Sequence, residues 1–206
     1  MKAMTDKLLL SVCTLLLLGS CGGDGDISLA DYVDQVNTAA NAADRSAQEL
    51  MGEALGIVDP TPSQLQGGLE RGLAEIRVPL QDAIDEITPP DQLTAFHTRM
   101  WGWHADFIAI EQALADRVGT TEDTAQGWEG LSGSPEMASY RAALAEGKQI
   151  CNGFQDELDA IAELGVFADT PWMPSELNGV AEAALGCQWF PDRPDDVYRY
   201  PPVPAP

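Results

Sequence analysis

The sequence predicts an all-α fold, an antiparallel bundle of four main helices with a short fifth helix and an extended proline-rich C-terminal tail. Three observations lead there. Apolar residues recur at spacings of three and four over long stretches. Short segments rich in Pro and Gly separate those stretches. No stretch shows the strict alternation of a half-buried strand.

The first helix opens at Ser28-Leu29-Ala30-Asp31, where Ser28 and Asp31 have the spacing of a capping box. Leu29, Tyr32, Val36, Ala39, Ala43, Ala47, Leu50 and Ala54 form its apolar stripe, and Gly56 with Asp59-Pro60 stops it. Ser63 is the expected start of the second helix, whose stripe is Leu65, Leu69, Leu73, Ile76, Leu80, Ala83, Ile84 and Ile87. Pro79 lies inside it and should kink it, because proline removes one backbone hydrogen bond. At Thr88-Pro89-Pro90-Asp91 the expected cap is Thr88, with both prolines in the first turn of a third helix that runs to about Val118.

Residues 120–134 are polar and Gly-rich and read as loop, tacked to the bundle by Trp128 and Leu131. Ser134-Pro135 opens the fourth helix as cap and first-turn proline. Its seam is Met137, Tyr140, Leu144, Cys151, Phe154, Leu158 and Ile161, and Gly165 ends it. A turn at Thr170–Pro174 leads to the fifth helix, Ser175 to about Leu185. The prolines after Trp189-Phe190 forbid a helix or a central strand, so residues 189–206 are expected to be extended, with Trp189 and Phe190 lying on the bundle.

The formal net charge is −22, with 33 acidic and 11 basic residues. Such a surface repels phosphate backbones, which excludes nucleic acid as the expected partner. The acidic residues are spread along the chain and read as the solvated faces of helices.

At the N-terminus, Lys2 and Lys7 precede an apolar run from Leu8 to Leu18, too short to span a bilayer comfortably and suited to a signal peptide core. Leu18-Gly19-Ser20-Cys21 follows and resembles the lipobox of bacterial lipoproteins. The resemblance implies a signal peptide over residues 1–20, cleavage before Cys21, and a diacylglyceryl group on its sulfur. Residues 21–27 then form the lipidated cysteine and a flexible tether, and residues 28–188 the bundle domain. The implied location is the extracytoplasmic face of the cell membrane, with the membrane itself a partner through the Cys21 lipid. In that oxidising compartment the remaining pair, Cys151 and Cys187, is expected to form one disulfide.

Pro89-Pro90-Asp91-Gln92-Leu93-Thr94-Ala95-Phe96-His97, together with Cys21 and the late Cys151 and Cys187, is similar in pattern to a group of uncharacterised extracytoplasmic lipoproteins of high-GC bacteria. That resemblance implies architecture and location and carries no chemistry.

The only two histidines stand on the third predicted helix. Leu93, Phe96, Met100, Trp103, Phe107, Ile110 and Leu114 form its core seam, and His97, His104 and Glu111 line one edge of it. His97 and His104 are seven residues apart, about 10.5 Å along a helix, too far for one metal ion held by both. Each has a suitable helical spacing to Met100 for copper or haem iron, but only if another helix supplies ligands. The plainer reading is two amphipathic side chains at a helix–helix edge. Arg99 and Trp101 are expected on the outer face.

Gly130-Leu131-Ser132-Gly133-Ser134 lacks the final glycine and preceding strand of a nucleophile elbow. Asp24-Gly25-Asp26-Ile27-Ser28 lacks the later glycine and glutamate of a calcium loop. The expected role is therefore non-enzymatic binding or scaffolding at the cell envelope, of an unidentified envelope protein or small ligand, with no cofactor. A second reading is a metal- or haem-binding lipoprotein that uses His97, Met100, His104 and Glu111, and a third is a cell-wall hydrolase.

Overall fold

The structure, a computed structural model, describes residues 27–54 and 60–200, apart from the side chains of residues 51, 53 and 54. The signal segment, Cys21 and its tether up to residue 26, the helix stop at Gly56 and Asp59, and residues 201–206 lie outside the described residues.

All regular structure among the described residues is helical. The segments are α1 (Leu29–Ala54), α2 (Pro62–Gly72), a π-helical turn (Leu73–Arg77), α3 (Val78–Asp85), α4 (Thr94–Gly119), α5 (Ala125–Ser132), α6 (Pro135–Glu163) and α7 (Met173–Leu185). The chain is a helical bundle closed by one disulfide, Cys151–Cys187.

Local chemistry sets the helix boundaries, in places differently from expectation. At α1, the Asp31 N–H donates to Ser28 Oγ at 3.1 Å, and Ser28 Oγ donates in turn to the Asp31 carboxylate at 2.7 Å. Thr61, not Ser63, caps α2, in a complete capping box with Gln64. Ser63 instead donates from its N–H and its hydroxyl to Asp123, at 2.9 and 2.7 Å. The expected kink takes the form of the π-turn just ahead of Pro79. There the Val78 N–H reaches Leu73 O, five residues back. A proline ring in a regular helix would press on the carbonyl four residues earlier, and the widened turn is where the chain adapts.

Pro89 and Pro90 stand outside the next helix. Pro90 is extended (φ −59°, ψ 147°), the chain then makes a 3₁₀ turn at Asp91–Leu93, and α4 starts at Thr94. Thr88 therefore does not cap α4; the Thr94 hydroxyl donates to Pro90 O at 3.3 Å. Residues 125–132, expected as loop, form α5, capped by Thr124 Oγ1 accepting from the Gly127 N–H at 3.0 Å. Ser134 caps α6 as expected, and Gly165 turns the chain after it with φ +82°.

Cross-helix contacts fix the directions. Phe96 meets Phe154, Trp103 faces Gly147, and Phe107 stacks on Tyr140, so α4 and α6 run antiparallel. Gln81 meets His104 and Arg77 meets Glu111, so α3 and its π-turn run antiparallel to α4. α7 packs on both α6 and α1, and α1 packs along the π-turn and α3, which closes the ring of helices. The interior holds Tyr32, Ile84, Phe96, Met100, Phe107, Leu114, Phe154 and Leu158, all essentially inaccessible to solvent.

The tail is not simply extended. It makes 3₁₀ turns at Cys187–Trp189 and Pro194–Asp196. Phe190 packs edge-on against Trp103, as expected, whereas Trp189 is 61% exposed.

Candidate functional site

The buried polar groups concentrate along α4 in two clusters. The first is built around His97. Its Nδ1 and the Tyr32 hydroxyl of α1 share a hydrogen bond at 3.0 Å, with the two rings edge-on at 5.7 Å. Trp101 lies beside both histidines, tilted at 6.5 Å from His97 and edge-on at 5.7 Å from His104. Burial pushes the Tyr32 phenol well above its ordinary range, with a partial offset from Trp101. Burial holds half-buried His97 below its ordinary value, partly offset by the Asp85 carboxylate.

The second cluster lies two turns further on. His104 is completely buried and its Nδ1–H donates to Gln81 Oε1 at 2.8 Å. A glutamine oxygen can only accept, so this bond keeps the proton on Nδ1 and leaves Nε2 unprotonated. Nε2 has no hydrogen-bond partner among the described residues. Burial, reinforced by nearby Arg77, pushes His104 down to about 3, so it stays neutral at physiological pH.

Arg77 also holds Glu111. Its Nε lies 3.3 Å from Glu111 Oε2, and its guanidinium sits over the Phe107 ring at 5.1 Å. Burial raises the Glu111 carboxyl, and Arg77 opposes that rise. Tyr140 and Tyr198 near this pair are both pushed up by burial and by the Glu111 charge, in Tyr140 with a contribution from Tyr198 itself.

The tail covers this second cluster. Trp103, Phe107, Tyr140, Tyr198 and Trp128 form a continuous stack, with successive centroids 5.1, 5.7, 6.4 and 6.5 Å apart. Arg141 donates to Val197 O at 2.9 Å and to Ser132 O at 2.9 Å, and the Tyr200 N–H donates to Ser132 Oγ at 3.0 Å. These bonds hold Tyr198 in a left-handed conformation, φ 49°, that a bulky residue adopts only when its surroundings impose it.

The edge formed by His97, His104 and Glu111 thus turns inward, but the three do not meet at one point. His97 pairs with Tyr32, His104 with Gln81, and Glu111 with Arg77. Met100 is fully buried in the core. Among the described residues no group of three His, Cys, Asp or Glu side chains lies close enough to hold a metal ion. Trp101, expected outside, is only 3% exposed, and Arg99 is ion-paired to Glu157 of α6. Cys21 lies outside the described residues.

Sequence reasoning missed Arg77, Gln81, Arg141 and Tyr198. One signal was available, a lone arginine between Ile76 and Val78 in a chain poor in cations. Among the described residues the surface includes two open clefts. One, of about 390 Å³, lies at Arg141, Asp195 and Arg199, and the other, of about 380 Å³, beside the disulfide and Lys148. The raised carboxyl of Glu111 lines neither. Among exposed carboxylates, Asp192 is held low by Lys148 and Asp123 by Ser63.

No known protein family, curated protein or solved structure matches the chain.

Proposed function

We propose that the chain is a lipid-anchored, extracytoplasmic helical bundle that binds or scaffolds at the cell envelope without catalysing a reaction. The observation that carries this reading is the Cys151–Cys187 disulfide, with a sequence separation of 36, in a chain whose Leu18-Gly19-Ser20-Cys21 resembles a lipobox. A structural disulfide fits an oxidising compartment. No helix among the described residues is long and apolar enough to cross a membrane; attachment in this reading is through the lipid on Cys21. The non-catalytic part is supported by the pairing of the interior. His97, His104 and Glu111 each bind a neighbouring helix, a role that locks the bundle in one register.

The test is expression of the full chain in a bacterium, followed by fractionation and mass spectrometry of the N-terminal peptide. The expected result is a membrane-associated protein that begins at a diacylglyceryl-modified Cys21, with Cys21→Ala released in soluble form. An unmodified Cys21 in a soluble wild-type protein would overturn the reading.

A further inference from the structure

The described chain begins at one end of the bundle, and that end also carries two of its largest exposed apolar side chains. Tyr32, just inside the start of α1, bonds His97, just inside the start of α4. Helix α4 is antiparallel to α6, with Phe96 against Phe154 and Arg99 against Glu157. The start of α1, the start of α4 and the end of α6 therefore share one end. The α6–α7 connection, residues 164–172, follows directly from the end of α6.

That connection is pinned from below. Phe167 is buried and Val166 packs against the core. Ala168 N–H donates to Gly165 O at 3.1 Å and Thr170 N–H to Phe167 O at 3.0 Å. Yet Leu164 is 81% exposed and Trp172 is 56% exposed. Only two other large apolar side chains among the described residues are exposed to a comparable degree, Val78 and Trp189, and neither is in this connection. A folded turn that directs a leucine and a tryptophan into solvent suits the headgroup region of a bilayer, where an indole finds both apolar contact and a hydrogen-bond acceptor.

We propose that this end of the bundle faces the membrane and that Leu164 and Trp172 insert into the interface between headgroups and acyl chains. The proposal rests on lipid attachment at Cys21. The six residues from the anchor Cys21 to Asp26 lead to Ile27. Fully extended they reach roughly 20 Å, so the end that carries Ile27 cannot stand far from the bilayer. The same end bears the exposed carboxylates Asp31, Asp85, Glu86, Asp91, Glu163 and Asp169. The surface therefore fits zwitterionic lipid, and anionic lipid should weaken the seating.

The test uses the lipidated full chain reconstituted in phosphatidylcholine vesicles whose acyl chains carry bromine, a short-range quencher of tryptophan. The N-terminal mass is measured on the same sample. The expected result is quenching that is largely lost in Trp172→Phe, retained in Trp189→Phe, and reduced when anionic phosphatidylglycerol is added. Both tryptophans are exposed, so neither variant endangers folding. A lipidated protein whose quenching is the same with and without Trp172 would overturn the orientation alone. Shielding of Trp172 from a soluble quencher without quenching by bromine would place a second protein on this end and also overturn it. An unlipidated Cys21 would overturn the orientation and the anchoring together.

Discussion

The bundle treats two apolar surfaces in opposite ways. Along α4 and α6, the chain covers its aromatic face with its own tail. Phe190 lies on Trp103, Tyr198 stacks on Tyr140, Arg141 holds Val197 O, and the Cys187 disulfide fastens the start of the strap. At the α6–α7 connection nothing in the described chain covers Leu164 and Trp172, although Phe167 beside them is buried. A fold that excludes water from one apolar face with this many contacts has no need of exposed leucine and tryptophan elsewhere for its own stability. The proposed membrane seating would give the uncovered end its cover.

Breaking the strap should have the largest effect. Replacing both cysteines with serine removes a constraint on a long loop, worth about 4 kcal/mol in the chain-entropy account. The urea midpoint should fall accordingly, and the tail should become the first segment to exchange its amide protons. A smaller loss is expected from Gly147→Val. A Cβ at Gly147 would collide with Trp103 and come within 2.8 Å of Phe190. Overpacking of this kind costs about 1–3 kcal/mol, and Phe190 should be displaced, which a changed Trp103 emission would report.

Acid tests the sealed interior. His104 is held at about 3 against an ordinary value of 6.5, so below pH 6.5 the unfolded chain takes up a proton that the folded chain refuses. Stability therefore falls as pH drops from about 6.5 towards 3, by at most about 1.4 kcal/mol per pH unit from this group. His97, also lowered, acts in the same direction. Glu111 acts in the opposite direction, because its raised carboxyl sheds its burial penalty as it protonates. Urea melts at pH 6.5 and 4.5 should show a shallower loss for His104→Gln than for wild type. Equal slopes would mean that His104 is not sealed from water.

The smallest effect is expected at the uncovered end. Leu164→Ser combined with Trp172→Ser should change stability by no more than about 0.5 kcal/mol, as exposed substitutions usually do. A loss as large as that of the disulfide variant would mean that these side chains support the fold and would remove the contrast.

The core seam of α4 was legible because Leu93, Phe96, Met100, Trp103, Phe107 and Leu114 keep a strict spacing and all are buried, while Ile110 on the same seam is only partly buried. Trp101 and His104 were harder to place. Helix α4 is packed by α2 and α3 on one side and α6 on the other, and His97 meets α1, so its buried arc is wider than a single seam. Helix α5 was hidden by Gly127, Gly130 and Gly133, which read as loop. Gly127 has a steric reason, since a Cβ there would collide with the Glu122 carbonyl. The strap depends on contacts such as Arg141 to Val197, 56 residues apart, and no local pattern encodes such a distance. The exposure of Leu164 and Trp172 was equally invisible, because it depends on how Phe167 anchors the turn.

Oxidative footprinting of the tryptophans tests the contrast between the two surfaces most directly, with the soluble Cys21→Ala protein in detergent-free buffer compared with the lipidated protein seated in membranes. In both states Trp103 should react slowly and Trp189 quickly. Trp172 should react quickly in the soluble Cys21→Ala protein and be protected in the lipidated protein seated in membranes. A Trp172 that reacts equally in both states, or a Trp103 as reactive as Trp189, would contradict the account.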